Sequence, residues 1–227
     1  MTGVFDSGRG GLYALSHLRR LKPMEDIIFF ADEANAPYGT KSESELTELV
    51  SADIERLLSA GARRVLIACC TASTVYERLD ARLRELSLPI IEPTAERAVK
   101  SSRSHRIGVL STEATKRSLA FVRAVKKFCP EAEVLSVSAP ELVSLAEGGA
   151  EDGALTAKEK KIIEKTISPV KDFGADTLIL GCTHFAYFER EIENILGVEI
   201  VNSAKVGAEE MAKITSGEGV GATVYIS

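Results

Sequence analysis

GARRVLIACCT (Gly61–Thr71) and GADTLILGCTH (Gly174–His184) lie 113 residues apart and align without a gap. Gly61 and Ala62 meet Gly174 and Ala175; Val65, Leu66 and Ile67 meet Leu178, Ile179 and Leu180; Cys69 meets Cys182. A weaker echo precedes each copy, TGVFDS (Thr2–Ser7) and IGVLST (Ile107–Thr112), at an offset of 105. Each half therefore reads as a Gly-Val strand, a Gly-Ala turn, a second strand and a cysteine. Two echoes in the same order predict two pseudo-symmetric α/β halves.

The rest of the chain fits that plan. Strands are expected at Gly3–Phe5, Ile27–Ala31, Val65–Cys69, Pro89–Ile91, Ile107–Leu110, Glu133–Val137, Thr177–Leu180, Glu199–Val201 and Thr223–Ile226. Most are continuous Val/Ile/Leu runs, the pattern of parallel strands covered on both faces. Between them, Leu46, Leu49, Val50, Ile54, Leu57 and Leu58 mark one face of a helix over Glu43–Ala60, and Glu77–Leu86 and Thr156–Val170 read similarly. Alternating order predicts parallel sheets. The fold class is α/β: two parallel-sheet domains, 1–93 with 202–227 and 94–201, with the active site in the cleft between them. Ligands gather beyond the C-terminal ends of such strands, where Cys69 and Cys182 fall. The stretch 148–153 is the most loop-like, and IEPTA (91–95) marks a crossing between domains.

Composition narrows the function. The chain has 227 residues, 45% of them hydrophobic, enough for a real core. Net charge is −5 with scattered Lys and Arg, so no nucleic-acid surface is expected. No apolar run approaches the ~20 residues of a membrane span, and MTGVFDSG lacks the regions of a signal peptide. A cytoplasmic setting follows, in which cysteines are mainly thiols. Gly8-Arg9-Gly10-Gly11 fails the dinucleotide pattern because Tyr13 replaces its third glycine, and no phosphate-loop lysine exists.

Two opposed thiols can remove the α-hydrogen from one face of an amino acid and return a proton to the other, without metal or cofactor. One thiol must be activated, since the free pKa is about 8.5. His184 and Asp6 are the candidates. Ala68 and Gly181, small residues before each cysteine, would let a substrate approach closely. Adjacent residues on a strand face opposite ways, so Cys70 is not equivalent to Cys69, and only Cys69 has a repeat mate. Other readings stand beside this one. Buried thiols can simply pack a strand end. Cys69, Cys70, Cys182 and His184 have the residue types of a zinc site but no CxxC or HxxxH spacing. A Cys69–Cys182 disulfide would be an oxidation artefact. Asp6-Ser7-Gly8 reads as a helix N-cap. Backbone N–H groups after Asp6-Ser7, Cys70-Thr71 and Thr183-His184 would offer carboxylate sites. Cys129, His17 and His105 read as structural or surface residues.

VFDSGRGGL (4–12), NAPYGTKS (35–42), LIACCTAS (66–73), IEPTAERA (91–98) and LGCTHF (180–185) together resemble the Asp/Glu racemase family, in its glutamate branch. The resemblance implies two α/β domains around one active site and cofactor-independent racemisation of glutamate. It also implies a role in supplying D-glutamate for peptidoglycan, and a homodimer. Carried over by position, Cys69 and Cys182 would be the acid/base residues, supported by His184, Asp6 and Glu147. Asp6, Ser7, Pro37, Tyr38, Gly39, Cys70, Thr71, Thr112, Thr115, Thr183 and His184 would line the substrate. No metal is implied. One departure stands out: the family carries Asn where this chain has Cys70. A lost buried hydrogen bond there would cost about 1–3 kcal/mol. That departure keeps open a racemase of another acid, such as aspartate, or a weakly active binding homologue. Against the family pattern both ends are short.

Overall fold

The computed structural model describes residues 1–150 and 155–226. They form two compact units, Met1–Ile90 with Ala204–Ser227, and Ile91–Ser203. In the first unit the strands are β1 (Thr2–Asp6), β2 (Ile27–Ala31), β3 (Arg64–Ile67), β4 (Ser87–Pro89) and β9 (Thr223–Ile226). The second unit holds β5 (Arg106–Ser111), β6 (Glu133–Ser138), β7 (Thr177–Gly181) and β8 (Glu199–Asn202). Helices connect them: α1 (Gly11–Leu21), α2 (Glu43–Ser59), α3 (Cys70–Ser73), α4 (Ala81–Leu86), α5 (Ile91–Ser101), α6 (Glu113–Ser118), α7 (Ala120–Phe128), α8 (Pro140–Leu145), α9 (Ala157–Phe173), α10 (Glu189–Leu196) and α11 (Ser203–Ile214).

Every strand pairing is parallel. The first sheet runs β4-β3-β1-β2-β9 and the second, read in the corresponding direction, β8-β7-β5-β6. The two sheets therefore share one topology, with β9 added at one edge. Their registers match as well. Gly3, Val4 and Phe5 pair with Val65, Leu66 and Ile67; their repeat mates Gly108, Val109 and Leu110 pair with Leu178, Ile179 and Leu180. The repetition extends back into the helices. Val50, Ile54 and Leu57 of α2 correspond at the same offset to Ile163, Ile167 and Val170 of α9, and all six are buried. Burying one such side chain contributes about 1.5–3 kcal/mol, so these faces fix each helix onto its sheet. Both helices open with a capping box, Ser42 with Glu45 and Thr156 with Glu159. Both are followed by a glycine at positive φ, Gly61 (103°) and Gly174 (71°), where the chain turns back toward its next strand.

Some local expectations need correction. Glu77–Leu86 is not one helix: a single 3₁₀ turn at Tyr76–Arg78 ends at extended Leu79. Asp80 then caps α4 by accepting from the Leu83 N–H at 2.9 Å. The fourth strand is Ser87–Pro89, and IEPTA, which does begin at the boundary between the two units, is the first turn and a half of α5. The third strand ends at Ile67, two residues before Cys69. Of the 148–153 loop expectation, residues 151–153 lie outside the described residues, whereas Ala146–Ala150 form a π-helical turn.

Candidate active site

In the first unit the site grows from the ends of β1 and β3. Because β3 stops at Ile67, Cys69 is the N-cap of α3, and its Sγ accepts from the Ala72 N–H at 3.5 Å. Cys70 is the first helical residue and is buried. Strand alternation therefore does not separate the two thiols; the turn from β3 into α3 does. Ser7 Oγ lies 3.3 Å from Cys69 Sγ, so the ends of β1 and β3 meet through this contact. Asp6 is fully buried, and its Oδ1 accepts from the Gly8 N–H at 3.0 Å. It closes a local turn and is not the N-cap of α1; that position is Gly10, which has no side chain to cap with. Gly11 is required here, since a Cβ on it would lie 2.4 Å from the Cβ of Asp6.

Burial, then the Asp6 charge, push the Cys69 thiol up to about 11; hydrogen bonds from Ser7 and the Ala72 N–H pull the other way. Asp6 thus opposes ionisation of Cys69 instead of activating it, because a carboxylate beside a forming thiolate is a like-charge pair. Thr71 is buried. Tyr38 begins a 3₁₀ turn (Tyr38–Thr40) after exposed Pro37 and is itself buried, with Gly39 half-buried behind it. Its hydroxyl lies 2.6 Å from Asp32 Oδ2 and 2.7 Å from Asp53 Oδ2. Asp32 and Asp53 escaped the sequence reading. The available signal was Asp53 itself, a carboxylate between Val50 and Ile54 on the buried face of α2.

In the second unit Cys182 follows β7 and precedes a 3₁₀ segment, Thr183–Phe188. Its Sγ lies 3.7 Å from His184 Nδ1, and His184 Nε2 lies 3.8 Å from Glu147 Oε1. Thiol, imidazole and carboxylate stand in line, and the imidazole is buried while the carboxylate is exposed. The ring thus links the Cys182 sulfur to the Glu147 carboxylate through its two nitrogens. Thr183 and Thr115 are buried, and Thr112 caps α6 by accepting from the Thr115 N–H at 3.2 Å, with its hydroxyl 3.0 Å from that of Thr115. Gly181 does not open space for a ligand. A Cβ there would lie 2.7 Å from the Phe121 ring and 3.0 Å from the Leu110 carbonyl oxygen, so the glycine serves packing. The structure thus gathers Asp6, Ser7, Cys69, Cys70, Thr71 and the Pro37–Gly39 turn in one unit. Cys182, Thr183, His184 and Glu147, with Thr112 and Thr115, belong to the other. Among the described residues, the group whose ligand atoms lie within metal-binding distance of one another is His105, Cys129 and Glu131. It sits at the opposite end of β5 from Thr112.

Comparison with known proteins agrees with this geometry. Residues 16–211 match the family model for Asp/Glu/Hydantoin racemase. A glutamate racemase of Geobacter metallireducens is 39% identical over 95% of this chain and 80% of its own length. One of Desulforudis audaxviator is 40% identical over 88% and 72%. Among solved structures, a glutamate racemase isoform of Bacillus anthracis superposes with a TM-score of 0.87 at 31% identity, covering 99% of this chain and 86% of that one. The Francisella tularensis glutamate racemase, solved in complex with D-glutamate, gives 0.86 at 26% identity with the same coverages. With matching topology, a family match over most of its length and relatives this similar, the chain belongs to the Asp/Glu/hydantoin racemase family.

Proposed function

We propose that this protein is an isomerase that interconverts L- and D-glutamate without a cofactor, with Cys69 and Cys182 as its two acid/base groups. The observation that supports it most is the repetition: each unit places a cysteine just past the C-terminal end of the corresponding strand, Cys69 two residues after Ile67 and Cys182 directly after Gly181, at the one offset of 113. The relatives named glutamate racemase supply the substrate.

In one direction a thiolate takes the α-hydrogen as a proton, and the C–H electron pair spreads into the substrate carboxylate. The opposite S–H then gives its proton to the other face of the carbon, leaving one thiol and one thiolate exchanged. A Cys69 thiol held at about 11 is ionised in roughly one molecule in a thousand at pH 8. The amino acid's ammonium offsets the Asp6 charge on arrival, so the substrate itself increases the share of Cys69 present as thiolate. Cys182 has its own support in the His184–Glu147 pair. Ser7, Cys70, Thr71, Thr183 and the Pro37–Gly39 turn contact the substrate in this reading. The two domains of this reading are the two units of the fold, Met1–Ile90 with Ala204–Ser227 and Ile91–Ser203. The protein works as a cytoplasmic homodimer that supplies D-glutamate for peptidoglycan. Among the described residues no helix is long and apolar enough to cross a membrane.

Incubation with L-glutamate in D₂O tests the proposal. Inversion with deuterium at the α-carbon is expected, and Cys69→Ser or Cys182→Ser each cuts it by about 10²–10⁴-fold. Near wild-type inversion in either variant refutes the two-thiol assignment. Exchange with aspartate but not glutamate refutes the substrate, and binding without exchange of any amino acid refutes the activity.

A further inference from the structure

The hydroxyl of Tyr38 is in hydrogen-bond contact with two buried carboxyl groups, Asp32 at 2.6 Å and Asp53 at 2.7 Å. A hydroxyl carries one hydrogen and can donate to one of them. The other contact needs a hydrogen of its own, and only the carboxyl can supply it. Asp32 is furnished as the carboxylate, because its Oδ1 also accepts from Asn35 Nδ2 at 2.9 Å. Asp53 lies on the buried face of α2, between Val50 and Ile54. The proton therefore belongs to Asp53, which donates to the Tyr38 oxygen while Tyr38 donates to Asp32.

This chain holds a turn beside the candidate thiol. The Tyr38 ring lies 6.2 Å from that of Phe5 and joins the core cluster that contains Cys69 and Ala72. The 3₁₀ turn starting at Tyr38 packs on α3, the helix that Cys69 caps. We infer that Asp53 is a positioning residue, which fixes the Pro37–Gly39 turn next to Cys69 through a hydrogen shared along Asp53, Tyr38 and Asp32, and releases it when that hydrogen is lost. The inference rests on the racemase reading for its effect on turnover, and on geometry alone for the proton.

The charged and titratable groups facing Asp53 are Tyr38 from the turn, Asp32 from the end of β2, and Arg56 from α2 itself. Burial raises Asp53 most and the Asp32 charge adds to it, against the Tyr38 hydrogen bond and Arg56; the balance pushes Asp53 up to about 7. The hydrogen is held below that pH. As pH rises through it, two carboxylates are left with one hydroxyl hydrogen, and one oxygen–oxygen contact turns repulsive. A carboxyl raised on folding keeps its full stabilising contribution below its unfolded value of about 4 and loses it as pH climbs toward 7.

Two measurements test this. The first is difference infrared spectroscopy of protein labelled with ¹³C-carboxyl aspartate, which requires no turnover. A protonated-carboxyl band is expected at about pH 6, fading by about pH 9, and absent in Asp53→Asn and shifted in Tyr38→Phe. The second is KM and kcat for L-glutamate over the same range. In the wild type KM is expected to rise about tenfold through pH 7 with a smaller change in kcat. Asp53→Asn, whose amide still donates to Tyr38, is expected to flatten the KM profile, whereas Tyr38→Phe raises KM at every pH. A missing band, or a band that survives Asp53→Asn, overturns the proton assignment. A KM profile unchanged in Asp53→Asn overturns the positioning role. If glutamate is not turned over at all, the racemase reading fails, while the infrared band still decides the proton.

Discussion

Replacing Asp6 by Asn should make Cys69 more acidic, and the size of the change is open to calculation. At pH 8 a thiol of ordinary acidity, about 8.5, is roughly a quarter ionised. Held at about 11, Cys69 is ionised in roughly one molecule in a thousand, a suppression of about two hundredfold. A thiolate of higher pKa is the better nucleophile, with a sensitivity of about 0.4–0.5, which returns about tenfold. Ionisation and nucleophilicity together make alkylation about twentyfold slower than for a free thiol at pH 8, and the burial of Cys69 slows it further. The sharper observable is the pH profile. The Cys69 rate should climb about tenfold per pH unit through pH 10 with no plateau. In Asp6→Asn the midpoint should fall, yet stay above that of a free thiol, because burial is the larger cause and remains. Iodoacetamide labelling followed by mass spectrometry reads this directly. Cys69 and Cys70 share one tryptic peptide, residues 65–78, so the work belongs in a Cys70→Ala background. A wild-type plateau below about pH 9, or a midpoint unmoved by Asp6→Asn, would show that Asp6 does not govern this thiol.

Other outcomes follow from the same geometry. Gly181→Ala places a Cβ 2.7 Å from the Phe121 ring, and the buried ring and the Leu110 carbonyl leave little room to relax; urea unfolding should show a loss of about 1–3 kcal/mol, partly restored by Phe121→Leu. An unaltered midpoint would return Gly181 to a role in ligand access. Glu147→Gln should lower kcat about tenfold with little change in KM, since the carboxylate stands against the imidazole that contacts Cys182; a change confined to KM would place Glu147 against the substrate. Arg19 donates to the carbonyls of Pro23 and Ala222 at 2.9 and 2.7 Å and to Thr223 Oγ1 at 2.7 Å, so it pins β9 to the sheet. In Arg19→Ala, amide hydrogen exchange should accelerate across residues 222–226, with β1 and β3 unaffected; equal protection in both proteins refutes that role.

The strands were legible because a parallel strand covered on both faces must be apolar throughout, and short apolar runs such as IIFFA and TLILG recur between helical stretches. The helix face of α2 was legible because its apolar residues recur every three to four positions. Element ends were less so. Nothing apolar distinguishes Ile67 from Ala68, and the strand stops where the Cys69 side chain begins to cap α3. Asp80 broke a helix that the Glu77–Leu86 pattern joined, because a carboxylate that accepts from a backbone N–H competes with the helical ladder. The candidate thiols could be found from the repeat alone. Their surroundings could not: the sign of the Asp6 effect depends on burial and proximity. The Asp32–Tyr38–Asp53 chain joins residues separated by 6 and 15 positions, whose meeting only the packed turn reveals.

The position of β9 bears on the order of events during synthesis. Its neighbour β2 is held to it across the chain, with Ala222 N–H on Asp26 at a separation of 196 residues, while residues 91–203 form the second unit. A ribosome delivers the strands in sequence, so the second sheet is complete before the outer strand of the first has been made. Domains generally fold as units, N-terminal segments first. Here the chain that starts first should finish last. Until residue 223 emerges, β2 waits with a bare edge, the kind of edge that recruits strangers.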